Sequence, residues 1–194
     1  MDGKKSGPGI FRMENGTIIQ GTFENDEFVG TATINYPNGD LYEGGYEGGE
    51  KNGHGVYRTS LLEYEGDFLN GYFHGHGKLI DKIRDITTEG EFWGHLPHGQ
   101  CSVLGADGKS IYTGRMERGK RTGEGEGWGR DWHYIGEWID GEFEGKGVLV
   151  GTWPKKRKSI SGLQSNRSHH HVPDEKNWRF EGNFSKGKKE IVPN

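Results

Sequence analysis

Glycine recurs in this chain on a fixed beat. Aligned on Ile19-Gln20-Gly21, Tyr42-Glu43-Gly44, Tyr64-Glu65-Gly66, Thr88-Glu89-Gly90, Tyr112-Thr113-Gly114 and Tyr134-Ile135-Gly136, the triplet glycines stand 23, 22, 24, 24 and 22 residues apart. A further triplet, Phe180-Glu181-Gly182, follows at about two periods. Two residues after each glycine stands a large apolar side chain: Phe23, Tyr46, Phe68, Phe92, Met116, Trp138 and Phe184. Nine residues after each of the first six comes another glycine (Gly30, Gly53, Gly75, Gly99, Gly123, Gly145), and two further on a small residue (Ala32, Gly55, Gly77, Cys101, Gly125, Gly147). Such a period means an array of small units that fold by stacking on one another.

Each unit reads as a hairpin. Tyr64, Gly66 and Phe68 alternate with Glu65 and Asp67, which is the period-2 pattern of a strand. Asn70-Gly71, Gly48-Gly49, Asp140-Gly141 and Arg118-Gly119 then supply the positive φ of a tight turn. Glycine inside a strand costs stability and usually marks the close approach of a ring or backbone. The triplet and Gly-x-Gly glycines are therefore expected to make room for aromatic rings. An isolated hairpin is marginal in water, so neighbouring units must supply the missing burial. The expected fold is all-β: an elongated single-layer antiparallel β-meander of stacked hairpin repeats. It divides into an array over residues 1–153, a basic Ser/His-rich insertion over 154–177 and a terminal half-repeat with tail over 178–194.

Composition agrees. Only 29% of residues are hydrophobic, Gly accounts for 36 of 194, and aromatics reach 12%. That suits rings packed over turns rather than an aliphatic core. No run approaches 18 apolar residues, and a single cysteine cannot form an internal disulfide. With no leader visible at the first residues, the expected location is the cytoplasm. The net charge of −4 conceals a split. Residues 1–153 hold 15 Lys+Arg against 25 Asp+Glu, and residues 154–194 hold 10 against 4. So acidic an array does not suit nucleic acid.

The run from Tyr64 to Gly77, Tyr-Glu-Gly-Asp-Phe-x-Asn-Gly-x-x-His-Gly-x-Gly, closely resembles the MORN repeat (membrane occupation and recognition nexus). The resemblance covers residues 7–153 and a half-unit at 180–188. It implies a β-meander with an aromatic-lined concave groove. Family members include junctophilins, radial-spoke head proteins, plant phosphatidylinositol-phosphate kinases, a SET-domain lysine methyltransferase and apicomplexan division scaffolds. The enzymes among them carry their chemistry in a separate domain. Departures here are Thr88 and Met116 in place of rings, and Ala32 and Cys101 in place of Gly; those units are expected to stack less tightly.

Candidate chemistry is sparse. No Gly-x-Ser-x-Gly elbow or His-Glu-x-x-His motif is present, so no catalytic residue, metal or cofactor is expected. The stretches from Gly114 to Lys120 and from Gly182 to Lys188 mimic a phosphate-binding loop but fall at one repeat phase and lack its closing Ser/Thr. Glu43, Glu65, Glu89 and Glu181 are read as the polar face of the ribbon. His54, His74, His76, His95 and His98 are read as repeat positions rather than metal ligands, and Cys101 as a packed thiol.

Two contact surfaces stand out. The rings of Tyr64, Phe68, Phe92, Tyr112, Tyr134 and Trp138 are expected to line a groove that binds a peptide or helix of another protein, with its strongest part over 92–138. By the family resemblance, the setting is a cytoskeletal or ciliary assembly. The alternative is a peripheral membrane adaptor that contacts anionic phospholipid through Lys155, Lys156, Arg157 and Lys158, with Ser159 as a candidate phosphosite whose modification would weaken attachment. Exposed sheet edges also make a homodimer an expectation to test.

Overall fold

The computed structural model describes residues 3–152 and 177–189. The leading strand β1 (Gly7–Arg12) is followed by the hairpins β2 (Ile18–Glu24)–β3 (Glu27–Asn35), β4 (Leu41–Glu47)–β5 (Glu50–Arg58) and β6 (Leu62–Leu69)–β7 (Tyr72–Asp81). Then come β8 (Ile86–Trp93)–β9 (Leu96–Gly105), β10 (Ser110–Glu117)–β11 (Lys120–Trp128), β12 (Trp132–Ile139)–β13 (Glu142–Thr152) and β14 (Asn177–Ser185)–β15 (Lys188–Lys189). All fifteen join one antiparallel sheet in strict sequence order. Extensive contacts run only between consecutive strands. The fold is a single-layer β-meander of hairpin repeats.

The turns have the chemistry that the sequence suggests. Each hairpin closes through two residues with positive φ, such as Asn70 (49°) and Gly71 (81°), or Arg118 (48°) and Gly119 (79°). Turns of this hand match the right-handed twist of the strands they join.

The two glycines of each Gly-x-Gly do different jobs, a correction to the expectation that both make room for rings. The register jumps between Gly66, which faces Gly77, and Asp67, which faces His74. Gly75, with φ 56°, sits in this bulge. The same jump recurs in the hairpins of β2–β3, β4–β5, β8–β9, β10–β11 and β12–β13. Three acids after the triplet glycine hold the bulge. Asp67, Glu91 and Glu137 accept from the backbone N–H of His76, Gln100 and Lys146.

The second glycine belongs to a column that crosses the sheet. Cα partners run unbroken from Gly9 through Gly21, Gly44, Gly55, Gly66, Gly77, Gly90, Gly114, Gly125, Gly136 and Gly147 to Gly182, with only Ala32 and Cys101 intervening. The rings of one face pack down onto this column, and there the core lies.

Candidate interaction surface

The six rings expected to line an open groove are interior. Tyr64, Tyr112 and Tyr134 are 0% exposed, Trp138 1%, and Phe68 and Phe92 3%. The reason is the glycine column. A Cβ at Gly55 would stand 2.7 Å from Tyr42 Cε2, and one at Gly125 would stand 2.8 Å from Tyr112 Cε2. Tyr64 and Tyr134 lie in the same way across Gly77 and Gly147. The second ring of the next unit then closes edge-on over each tyrosine. Tyr42 meets Phe68 at 5.1 Å, Tyr64 meets Phe92 at 5.2 Å, Tyr112 meets Trp138 at 5.4 Å and Tyr134 meets Phe184 at 5.0 Å. Edge-to-face pairs of this kind add to the burial of the rings themselves. The groove expected from the sequence is thus filled by its own lining.

Each tyrosine hydroxyl is also satisfied at the bulge. Tyr42 donates to Gly45 O (2.7 Å), Tyr64 to Asp67 O (3.0 Å), Tyr112 to Arg115 O (2.7 Å) and Tyr134 to Glu137 O (3.0 Å). Burial pushes the phenols of Tyr42, Tyr112 and Tyr134 up to about 12, because an ionised oxygen there would lose its water. Trp138 Nε1 donates to Gly125 O at 3.1 Å.

One slot on this face holds an aromatic ring in some units, a cation in others and Pro97 in one. Phe73 stacks flat on Tyr64 (3.8 Å, 8°), and Phe143 on Tyr134 (4.0 Å, 17°). In the hairpin β4–β5 the equivalent residue is Lys51, whose Nζ lies 3.9 Å from the Tyr57 ring centre. In β10–β11 it is Arg121, 4.9 Å from Trp138. Desolvation lowers the Lys51 pKa, with Asp40 opposing the shift. Both cations are half-buried against rings of the core.

The departures at the tyrosine position turn out to be paired. Where a tyrosine is missing, its facing glycine is enlarged: Ile19 accompanies Ala32, and Thr88 accompanies Cys101. All four are buried, at 4 to 6% exposure. The ring ladder itself breaks at Thr88 and Met116. One core cluster ends with Phe92 and a second begins at Cys101. Burial raises the pKa of the Cys101 thiol, which donates to Glu91 O at 3.5 Å.

The opposite face is polar and open. Glu43, Glu65, Glu89 and Glu181 are all exposed. Register sets Lys78 between Glu65 and Glu89. His74 packs at a tilt against Trp93 (4.8 Å, 50°), and His95 Nδ1 accepts from Phe73 N at 3.2 Å. His98 Nδ1 is buried without a partner, and His54 lies 3.7 Å from Asp67. Among the described residues, no three of the His, Cys, Asp and Glu side chains gather closely enough to hold a metal. The loop mimics at Gly114 and Gly182 are ordinary hairpins, and Lys120 is paired with Asp140 at 3.1 Å. Lys155, Lys156, Arg157, Lys158 and Ser159 lie outside the described residues.

Over residues 92–138, where the strongest part of the groove was expected, Trp138 is core and Trp128 and Trp132 are half-buried. Trp93 is 63% exposed, and it belongs to a set that the pattern of rings does not reveal. The two residues flanking each of the first six tight turns face outward. They are Glu24 and Glu27, then Glu47 and Glu50, then Leu69 and Tyr72, then Trp93 and Leu96, then Glu117 and Lys120, then Ile139 and Glu142. Comparing this one position across units would have exposed the change from acid to apolar.

This architecture defines a class, the open sheet of stacked hairpin repeats. A model of the MORN repeat matches seven segments, residues 1–18, 20–41, 42–60, 64–83, 89–110, 112–126 and 134–153. The chain belongs to the MORN-repeat family. It is similar to Alsin of Rattus norvegicus, at 28% identity over 158 residues covering 77% of this chain, and to Alsin of Homo sapiens, at 27% over the same length. The chain spans 8% of the length of these relatives.

Proposed function

We propose that this chain is a non-enzymatic interaction scaffold, a stiff sheet that presents an outward row of side chains to a segment of another protein. The observation that carries this reading is how the repeat partitions its residues. Positions that recur from unit to unit, the tyrosine, the second ring and the column glycine, are interior. The positions that flank the tight turns differ between units and face outward. A core common to all units with a variable outer row is how repeat arrays make an extended recognition surface at fixed spacing. The cytoskeletal or ciliary setting is carried over from the family resemblance, and the cytoplasm from the single cysteine.

Cross-linking mass spectrometry on the affinity-purified chain, followed by reconstitution with the purified partner, tests this. A stoichiometric protein partner with cross-links on outward residues is expected. Cross-links that respect neither face, or failure of every candidate to reconstitute, would overturn the reading. A parallel flotation with phosphatidylserine vesicles, using a variant with Lys155–Lys158 changed to Gln, decides the membrane alternative.

A further inference from the structure

The strongest unexplained feature of the surface is the apolar set on two consecutive hairpins. Leu69 and Leu96 are each 46% exposed, Tyr72 55% and Trp93 63%. Leu69 pairs with Tyr72 across one turn and Trp93 with Leu96 across the next. The pairing of His74 with Trp93 joins the two hairpins on the same face. None of these four side chains belongs to either core cluster. Exposed tryptophan, tyrosine and leucine grouped in this way have the composition of a binding hot spot, and solitary apolar residues do not.

The surroundings are acidic. Glu24, Glu27, Glu47 and Glu50 hold the same position on the preceding hairpins, and on the following ones Glu117 stands opposite Lys120 and Glu142 opposite Ile139. Of the cations at this edge, Lys120 is engaged by Asp140. Neighbouring strands stand about 4.8 Å apart, so successive hairpins repeat every ~10 Å. That matches seven residues of α-helix at 1.5 Å each, about 10.5 Å.

Resting on the scaffold reading, we propose that this patch is the docking site of a basic amphipathic helix of a partner protein. Its apolar anchors, about seven residues apart, sit on the Leu69–Tyr72 and Trp93–Leu96 pairs. Its Lys or Arg residues, a further two turns out at each end, face Glu47 and Glu50 on one side and Glu117 on the other. The charges choose this occupant over its rivals. A second copy laid on the patch would bring its own carboxylates against these, and an anionic membrane would be repelled by them.

The test uses the full chain and a synthetic helical peptide of Leu and Lys, with Leu at seven-residue spacing and Lys at both ends. A charge-reversed peptide with Glu for Lys is the control. Calorimetry should give a dissociation constant of roughly 10–100 µM for the basic peptide, as suits a contact at the small end of interface size. The variant Leu69→Thr/Trp93→Thr should fold unchanged by circular dichroism and bind at least tenfold more weakly, and Glu47→Gln/Glu117→Gln should lose most of its salt dependence. Equal binding of the charge-reversed peptide, or full binding by the Thr variant, overturns the proposal. So does sedimentation showing self-association, or vesicle binding, that the Thr variant abolishes, since either gives the patch another occupant. If cross-linked partners map elsewhere on the outward face, this site fails while the scaffold reading stands.

Discussion

Replacing Gly55 by Ala probes the contact on which the core depends. The new methyl would meet Tyr42 Oη at 2.6 Å, Cε2 at 2.7 Å and Cζ at 2.9 Å. The ring has no easy retreat, because its hydroxyl is tied to Gly45 O and Phe68 closes its other side. Overpacking of this kind costs about 1–3 kcal/mol, and three contacts this short put Gly55 at the upper end. Loss of glycine's freedom in the unfolded chain returns about 0.4–1 kcal/mol, leaving a net loss of about 2 kcal/mol. Gly105 serves as the control. Its added methyl would meet nothing nearer than Asp107 Oδ1 at 3.5 Å, so Gly105→Ala should be neutral or slightly stabilising. The chain also contains its own rescue, since Ile19 with Ala32 fills the equivalent space. Tyr42→Ile alone should cost about 3 kcal/mol through the void it leaves. Added to Gly55→Ala, it should recover stability, with a coupling of about 2 kcal/mol. An array need not unfold in one step, so the readout is amide hydrogen exchange in β4 and β5 alongside urea titration. Additivity of the two changes within about 0.5 kcal/mol would refute the packing argument.

Other consequences follow from the same contacts. Thr88→Tyr should destabilise alone and be accommodated with Cys101→Gly; the pair should extend the ring ladder across the break and draw two urea transitions toward one. Lowered by desolvation and by Lys51, the His95 pKa means that the unfolded chain binds the extra proton first. Stability at the β8–β9 turn, where His95 accepts from Phe73 N of β7, is therefore full above the ordinary histidine range and declines as pH falls below it. His95→Asn tolerates the positive φ of 71° and keeps an acceptor for Phe73 N, so exchange protection there should become pH-independent. Spectrophotometric titration should show Tyr42, Tyr112 and Tyr134 still protonated at pH 11 in the folded chain; ionisation near 10 would mean open rings.

Much of this was legible in the sequence. The spacing of Gly21, Gly44, Gly66, Gly90, Gly114 and Gly136 gave the unit, and Asn70-Gly71 and its equivalents gave the turns. Alternation placed Tyr64 and Phe68 on one face. It could not show that Phe92 from the next hairpin closes over Tyr64, because period-2 patterning describes one strand and the closure is made by two strands further on. The reading of an open aromatic groove failed there. The pairing of Ile19 with Ala32 and of Thr88 with Cys101 was in plain view but needs the register to be seen as compensation in volume. Trp93 and Leu96 were hidden differently: their position is acidic in the first two units, and only register shows that all these residues share one edge of one face.

Hydroxyl-radical footprinting of the chain, free and with the basic helical peptide, tests the central claim most directly. The account predicts that Tyr42, Tyr64, Tyr112, Tyr134 and Trp138 resist oxidation throughout, while Leu69, Tyr72, Trp93 and Leu96 are oxidised in the free chain and protected when the peptide binds. Oxidation of Tyr64 and Tyr134 in the free chain at rates like that of Tyr72, with their protection on binding, would contradict it and return the function to an open aromatic groove.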